Sequence, residues 1–235
     1  MSARVGVILP ARNVESTIRR SVDSVLAQTF KDFVLYCIVN GSSDSTKSIL
    51  DSYDDDRIRV LESPVAGLVP ALNFGLQIAG NELIARQDAD DLWYPEKLQK
   101  QIEFLDKSPG VHVVGCQIRL VDSTGKPTEN QGNPYPTEDS GIRNSMLGGW
   151  NAIPHPGVVF RRELLLRTGG YDDTYHMSED YYLWLRALKW FRFANLPEVL
   201  MDYTAVHNPN YDPRVVQLLW QAQGQIKAIL SSYGR

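Results

Sequence analysis

Three aspartates lie within four positions of one another, at Asp88, Asp90 and Asp91, directly after an apolar run. Carboxylates this close repel one another, and each raises the pKa of its neighbours. A hard divalent cation such as Mg²⁺ or Mn²⁺ prefers oxygen ligands and would hold them together. A cation bound by only one or two protein carboxylates keeps coordination positions for the phosphates of a substrate. The spacing alone is equally compatible with an acidic turn that caps the helix after it.

The first half of the chain predicts the elements that would position these aspartates. Four short apolar runs are typical of strands buried on both faces: 5–9, 33–39, 58–61 and 82–87. Three segments between them have apolar residues at helical spacing: 15–28, from Ser43 or Asp44 to 53, and 67–79. This alternation predicts right-handed βαβ units in a doubly wound, mostly parallel mixed sheet flanked by helices.

Polar residues follow three of the predicted strands. They are Arg12 with Asn13, residues 40–44, and the aspartates of 88–91. Doubly wound sheets bind ligands beyond the carboxyl ends of their strands, so these clusters predict a nucleotide site. Arg12 could pair with a phosphate or stack on a base, and a solvated loop arginine is an equal alternative.

The second half of the chain is less regular. It predicts a helix at 95–105, a second helix that ends at 167, a third that begins at 178 and a fourth at 212–232. It also predicts strands at 111–121 and 155–160. Residues 128–149 are rich in Gly, Pro and Asn and predict a long surface loop of the kind that is often functional. The last helix is amphipathic, and it could pack on its own domain or form a homodimer.

Composition limits the class of protein. The chain has 235 residues, 43% of them hydrophobic and 22% charged, and a net charge of −4, which argues against nucleic-acid binding. Cys37 and Cys116 lie in apolar runs and are expected to be free thiols in a reducing compartment. We expect no signal peptide and no membrane span, hence a cytoplasmic protein that could rest on a membrane surface.

Three stretches, in order, resemble the inverting glycosyltransferases of family 2, which have the GT-A fold. Residues 7–33 are similar to the family's first strand, its Pro-x-x-Asn loop and its return to the second strand. Residues 86–98 resemble its Asp-x-Asp-Asp strand end and the Pro-x-Lys-Leu helix that follows. Residues 155–186 resemble its Gly-Gly-Tyr-Asp and Glu-Asp segment. The resemblance spans about residues 5 to 207, and ordered motifs are far more specific than one Asp-x-Asp.

The resemblance implies a division of the chain. Residues 1–208 would form a single GT-A domain, with a nucleotide-binding half at 1–110 and an acceptor-binding half at 111–208. Residues 209–235 would be a helical extension. The donor would be a nucleotide-diphosphate sugar, and a UDP-sugar is expected. The acceptor would be a glycan, lipid-linked or protein-linked hydroxyl.

The resemblance also implies the donor site. Asp88 would bond the ribose, Asp90 would bind Mn²⁺ or Mg²⁺, and Asp91 would have a structural role. His207 could complete the metal site, although a lone histidine is more often structural. The residues implied in donor binding are Pro10, Arg12, Asn13, Asn40, Gly41, Ser42, Arg86, Asp88 and Ala89. Asn40 stands where the family usually has an aspartate that contacts the nucleotide base. Its amide offers a different set of hydrogen-bond donors and acceptors, so the identity of that nucleotide base stays open.

On the acceptor side, the resemblance implies that Asp180 is the general base. Inverting transfer needs a carboxylate that takes the proton of the attacking hydroxyl. Glu179 would raise the pKa of Asp180 and could be an acceptor-side residue that positions the acceptor, although both carboxylates could merely complement a helix N-terminus. Trp93 and Trp150 fall on predicted loops, where an aromatic face could stack on a sugar, so both are possible acceptor contacts.

Two other functions remain in view. A sugar-1-phosphate nucleotidyltransferase would need a Gly-rich loop with Arg and Lys after the first strand, and residues 10–13 lack one. A catalytically inactive nucleotide-sugar-binding homologue is compatible with Asn40. Asp88, Asp90 and Asp180 argue for activity.

Overall fold

The computed structural model describes residues 3–205 and 213–232. In these residues the strands are β1 Val5–Ala11, β2 Phe33–Val39, β3 Ile58–Glu62, β4 Leu83–Arg86, β5 Leu92–Trp93, β6 Val111–Val121, β7 Val159–Arg161 and β8 Arg192–Thr204. The helices are α1 Ile18–Leu26, α2 Thr46–Asp51, α3 Leu68–Ile78, α4 Lys97–Lys107, α5 Asp139–Leu147, α6 Glu163–Thr168, α7 Glu179–Ala187 and α8 Pro213–Ser232. Short 3-10 turns occur at His155–Gly157 and Asp173–Tyr175.

The strands form one eight-stranded sheet in the order β3-β2-β1-β4-β7-β6-β8-β5. The first four strands of the chain pair in parallel, with β1 between β2 and β4. β7 is antiparallel to both β4 and β6, while β8 is parallel to β6. The predicted mixed α/β sheet flanked by helices is therefore confirmed, and the two strands that run against the first four are β5 and β7.

Every residue of β1 is buried, as expected for a central strand with helices on both faces. Its side chains alternate between two cores. Ile8 packs into the core that contains α3 and α7, whereas Val7 and Leu9 pack into the core that contains α1 and α4. The close approach of α3 needs Gly75, because a Cβ there would lie 2.8 Å from Cγ2 of Ile8.

Several expectations about the elements were wrong. β1 continues through Pro10 to Ala11, and the first helix begins at Ile18 rather than at residue 15. The segment 128–149 contains α5, so it is not a loop throughout. The predicted strand at 155–160 starts with a 3-10 turn because Pro156 lacks an amide hydrogen for a strand ladder.

The helix α8 packs on its own chain. Its apolar residues Val215, Leu219, Ile226 and Leu230 belong to the same buried core as α7. The dimer expected through this helix stays a prediction. Neither α8 nor any other helix in residues 3–205 and 213–232 is long and apolar enough to cross a bilayer.

Candidate active site

A cleft of about 760 Å³ lies beyond the end of β4. One wall is the loop of residues 88–91, which we call the aspartate loop, together with the end of β8 at Tyr203 and Thr204. The start of α7 forms a second wall, and α8 contributes residues from Val216 to Gln223. The cleft thus collects side chains that are about 130 residues apart in the sequence, from the end of β4 to α8.

The aspartate loop is held by hydrogen bonds to its backbone. Ser21 Oγ donates to the carbonyl of Asp88 at 2.7 Å, and Arg20 Nη2 donates to the carbonyl of Asp90 at 2.7 Å. Thr204 Oγ1 donates to the same Asp90 carbonyl at 2.6 Å. These three bonds hold the backbone of the loop and do not involve the carboxylates of Asp88 and Asp90.

The carboxylates of Asp88, Asp90 and Asp91 have oxygen atoms within 4.8 Å of one another. Arg86 is almost fully buried and forms an ion pair with Asp88. Burial, followed by the charge of Asp88, raises the pKa of Asp90, and the charges of Arg86 and Arg20 offset this rise only in part. This set of closely spaced oxygen donors suits a hard divalent cation.

Asp91 differs from the other two aspartates. Only 2% of it is exposed, and its Oδ1 accepts a 2.7 Å hydrogen bond from the backbone amide of Thr204. Burial raises its pKa well above the usual range. This hydrogen bond ties the aspartate loop to the end of β8, and the structural role of Asp91 stays a prediction.

Glu179 and Asp180 occupy the first turn of α7, where carboxylates complement the helix N-terminus. Asn151 Nδ2 donates a 2.7 Å hydrogen bond to Oδ2 of Asp180. Burial raises the pKa of Asp180. Burial, and then the charge of Asp180, raises the pKa of Glu179 to about 7. A base of raised pKa beside a cleft is suited to accept a proton near neutral pH.

Among the described residues that line the cleft, the remaining basic side chain is that of His155. Its ring is buried, and its Nε2 is 2.7 Å from the hydroxyl of Tyr171. Burial, with the nearby charge of Arg86, lowers the pKa of His155 well below its ordinary value. The ring is therefore neutral near pH 7 and acts as a hydrogen-bonding partner of Tyr171.

The cleft brings together six of the sequence-predicted site residues: Arg86, Asp88, Asp90, Trp150, Glu179 and Asp180. Trp93 does not join them. It lies in β5 with 1% of its surface exposed, its Nε1 donates to the carbonyl of Pro156 at 2.8 Å, and it cannot contact an acceptor. The prediction of Trp93 as an acceptor contact was wrong because the pairing of β5 with β8 buries it.

The loops after β1 and β2 form a separate cluster. Asn13 Oδ1 accepts from the amide of Ser43 at 2.8 Å, and the Asn13 amide donates to Ser42 Oγ at 3.2 Å. Arg12 and Gly41 are exposed beside them. These four predicted donor residues, Arg12, Asn13, Gly41 and Ser42, do not line the cleft.

The other predicted donor residues are buried. Pro10 lies inside β1, and Ala89 is 6% exposed. Asn40 is buried, and its Oδ1 accepts a 2.9 Å hydrogen bond from the amide of Gly67, which precedes α3. This bond uses one of the two acceptor positions of the Asn40 amide oxygen. His207 lies outside the described residues.

The sequence did not identify Asn151, Tyr203 or Trp220 as site residues. Asn151 sits between α5 and the 155–157 turn, and nothing local relates it to Asp180. Trp220 is 69% exposed on α8, and the sequence does not show this exposure.

The model of the family described as "Glycosyl transferase family 2" matches residues 6–168, a span that contains most of β1, the aspartate loop and β7. The chain belongs to glycosyl transferase family 2. The O-antigen biosynthesis glycosyltransferase WbnJ of Escherichia coli is 31% identical over 210 residues, which cover 87% of this glycosyltransferase and 80% of WbnJ.

Solved structures share the GT-A fold of this family 2 glycosyltransferase. S. aureus TarS in complex with UDP superposes with a TM-score of 0.75 at 19% identity, covering 95% of the chain and 65% of that TarS chain. The mannosyltransferase PcManGT from Pyrobaculum calidifontis, in complex with GDP-Man and Mn²⁺, gives a TM-score of 0.69 at 19% identity, covering 100% of the chain and 76% of PcManGT.

Proposed function

We propose that this glycosyltransferase moves one sugar from a nucleotide-diphosphate sugar to a hydroxyl acceptor, with inversion at the anomeric carbon and Asp180 as general base. One observation carries the proposal: Asp180 lines the same cleft as Asp88 and Asp90 but comes from a different wall, the first turn of α7. A carboxylate of raised pKa therefore faces the space that a donor bound at the aspartate loop would share with an acceptor.

The bond changes of direct displacement follow from this arrangement. The acceptor oxygen attacks C1 of the donor sugar while Asp180 takes the hydroxyl proton. The bond from C1 to the diphosphate breaks, and its electron pair leaves with the nucleoside diphosphate. Because the attack comes from the side opposite the leaving group, the configuration at C1 inverts.

Asp90, with Asp88 beside it, would hold a divalent cation. When bound, the cation would neutralise charge that develops on the leaving diphosphate. Burial and the charge of Asp88 already raise the pKa of Asp90, which is the electrostatic situation that a bound cation relieves. The complex of PcManGT with Mn²⁺ supports the same cofactor here. Asp91 would stabilise the loop through its hydrogen bond to the Thr204 amide.

A UDP-sugar is the proposed donor, and the complex of TarS with UDP supports it. The loops with Arg12, Asn13, Gly41 and Ser42 would receive the nucleoside, since they lie at the same edge of the sheet as the aspartate loop. The name of WbnJ supports a role in glycan biosynthesis. Neither the family match nor the solved neighbours favour a nucleotidyltransferase.

A product analysis tests the proposal. Donors would be selected by thermal shift with MnCl₂ among UDP-glucose, UDP-galactose, UDP-N-acetylglucosamine and GDP-mannose. The selected α-linked donor would be incubated with acceptors, and proton NMR would give the anomeric configuration of the product. We expect a β-linkage and loss of turnover in EDTA, restored by Mn²⁺. An α-linked product would contradict inversion, and undiminished activity in EDTA would contradict the metal site.

A further inference from the structure

The charges of the cleft restrict what can enter it as an acceptor. Among the described residues that line it, five carry carboxyl groups and only Arg86 carries a fixed positive charge. Arg86 is already paired with Asp88, and burial keeps His155 neutral near pH 7. A divalent cation at Asp88 and Asp90 would be balanced by these carboxylates and by the donor diphosphate, so an anionic acceptor would meet the carboxylates of α7 without a free cation to pair with. A partly buried cleft screens such repulsion weakly.

Glu179 supplies an unused hydrogen-bond acceptor in the same cleft. Only 5% of this residue is exposed, and its Oε2 has no hydrogen-bond partner among the described residues. A buried oxygen without a partner is unfavourable, so a hydroxyl donor from a ligand would stabilise it. Asp180 is the next residue on α7 and lines the cleft as well. Two hydroxyls on adjacent carbons could reach these two carboxylates together.

Two tryptophans provide apolar surface near these carboxylates. Trp150 is 40% exposed and stacks on Tyr135, with ring centroids 5.5 Å apart and ring planes 9° apart. Trp220 on α8 is 69% exposed, and both tryptophans line the cleft. Rigid aromatic faces of this kind pack against the C–H faces of sugar rings, which contribute apolar area without charge.

The position of Trp220 is fixed by a buried contact of α8. Gln223 lies one turn further along the helix, and its Nε2 donates to the carbonyl of Met146 at 3.0 Å and to the hydroxyl of Tyr181. The Tyr181 hydroxyl itself donates to the same carbonyl at 2.6 Å. This network joins α8 to α5 and α7, so the wall that carries Trp220 is anchored to the helix that carries Glu179 and Asp180.

We propose that the acceptor group bound in this cleft is an uncharged sugar ring with two neighbouring hydroxyls. One hydroxyl gives its proton to Asp180, the other donates a hydrogen bond to Glu179, and the ring packs against Trp150 and Trp220. This inference rests on the proposed glycosyl transfer and adds the class of acceptor. It excludes a uronic acid or a polyol phosphate in the cleft, and also a serine or threonine side chain, which lacks a second hydroxyl.

A panel of paired acceptors tests the charge requirement. Methyl glycosides of glucose, galactose, mannose and N-acetylglucosamine would be compared with uronic acid or 6-phosphate counterparts and with a serine-containing peptide. Release of nucleoside diphosphate above the rate of donor hydrolysis gives kcat/KM for each. We expect at least one neutral glycoside to exceed its charged counterpart by about 10-fold or more, which corresponds to one unfavourable charge contact.

Three results would overturn the inference: equal or better use of a charged acceptor, use of the peptide in preference to the glycosides, or no effect of any neutral glycoside on an enzyme that binds and hydrolyses its donor. These results leave the proposed glycosyl transfer intact. Failure to bind any nucleotide-diphosphate sugar would overturn the proposed function and this inference together.

Substitutions separate the roles of Glu179 and Trp220. Glu179→Ala should raise the acceptor KM about 10-fold through loss of the hydrogen bond, whereas Glu179→Gln keeps a carbonyl acceptor and should retain most affinity. Trp220→Ala should raise the acceptor KM several-fold, and Trp220→Tyr should restore it. Leu166→Ala, at a site that is 85% exposed on α6 outside the cleft, is the matched control. An unchanged acceptor KM in both alanine variants would overturn the roles of Glu179 and Trp220 in acceptor binding. A fall in kcat with an unchanged acceptor KM would overturn them as well.

Discussion

Asn151 donates a 2.7 Å hydrogen bond from its Nδ2 to Oδ2 of Asp180. This bond stabilises the ionised carboxylate and lowers the pKa of Asp180, in opposition to burial, which raises it. Asn151 is itself held on the wall of the cleft, between α5 and the 155–157 turn. The bond from Asn151 therefore helps to orient the proposed base and favours its ionised form.

Asn151→Ala should move the acid limb of the pH–rate profile to higher pH. A general base must be ionised, so the rate falls as pH drops through its pKa, and loss of the stabilising donor raises that pKa. Turnover should decrease near neutral pH and recover in more alkaline buffer, as measured by kcat between pH 5 and pH 9. Asn144→Ala, at an exposed position of α5, is the matched control. An acid limb that does not move would argue against the pairing.

Asp180→Asn should abolish transfer and spare donor binding. Loss of a general base typically lowers the rate about 10²- to 10⁴-fold. The amide fills the same volume on α7, so the donor region at the aspartate loop should be unaffected. Turnover and calorimetric titration with UDP and Mn²⁺ give the two quantities. Asp173→Asn, an exposed carboxylate in the preceding 3-10 turn, serves as control. Turnover near that of the unmodified enzyme would rule out Asp180 as the base.

Asp90 and Asp91 should differ in their effect on metal binding. Asp90→Asn should weaken Mn²⁺ binding by at least about 10-fold, because even residues that only support a metal ligand typically contribute that much. Asp91→Asn keeps an oxygen that can accept from the Thr204 amide, so Mn²⁺ affinity should fall less. Both variants can be compared by calorimetric titration with MnCl₂ in the presence of UDP. The reverse order of the two effects would assign the metal to Asp91.

The sequence predicts the elements whose pattern is local. The continuous apolar run of β2 and the mostly apolar run of β6 predict their bounds, Phe33–Val39 and Val111–Val121, without error. The strand β8 was not predicted because Pro197 and Glu198 interrupt its apolar pattern, and a shift in register against β6 accommodates them. The helix α5 was missed because Gly, Pro and Asn surround it and only Ile142 and Met146 are buried.

The site could be predicted in part for the same reason. Asp88, Asp90, Glu179 and Asp180 belong to compact motifs, and all four line the cleft. Contacts between distant segments leave no local pattern, so the role of Asn151 and the approach of α8 were not predictable. Trp93 was predicted as an acceptor contact because it follows an acidic loop, but the pairing of β5 with β8 buries it.

Beneath the site, Lys97 on α4 is fully buried. Its Nζ lies 3.8 Å from the centre of the Trp93 ring and donates to Gln101 Oε1 at 2.8 Å. Gln101 in turn donates to the carbonyls of Val114 and Gly157, so the group connects α4 to β6 and to the turn beside the cleft. Burial lowers the pKa of Lys97 from 10.5 to about 7.

The stability of the protein should therefore rise between about pH 7 and pH 10 through Lys97. In that window the unfolded chain keeps the proton that the native state has released, so the free energy of unfolding increases with pH. Below pH 7 both states are protonated, and the unfavourable burial of the charge no longer changes with pH.

Lys97→Met should flatten this rise, and its gain in free energy of unfolding over the unmodified protein should be largest near pH 7. Urea denaturation at pH 7, 8, 9 and 10 measures the slope, and Lys107→Met, at an exposed position of the same helix, should leave it unchanged. If Lys97→Met and the unmodified protein have the same slope, Lys97 is not the group that titrates.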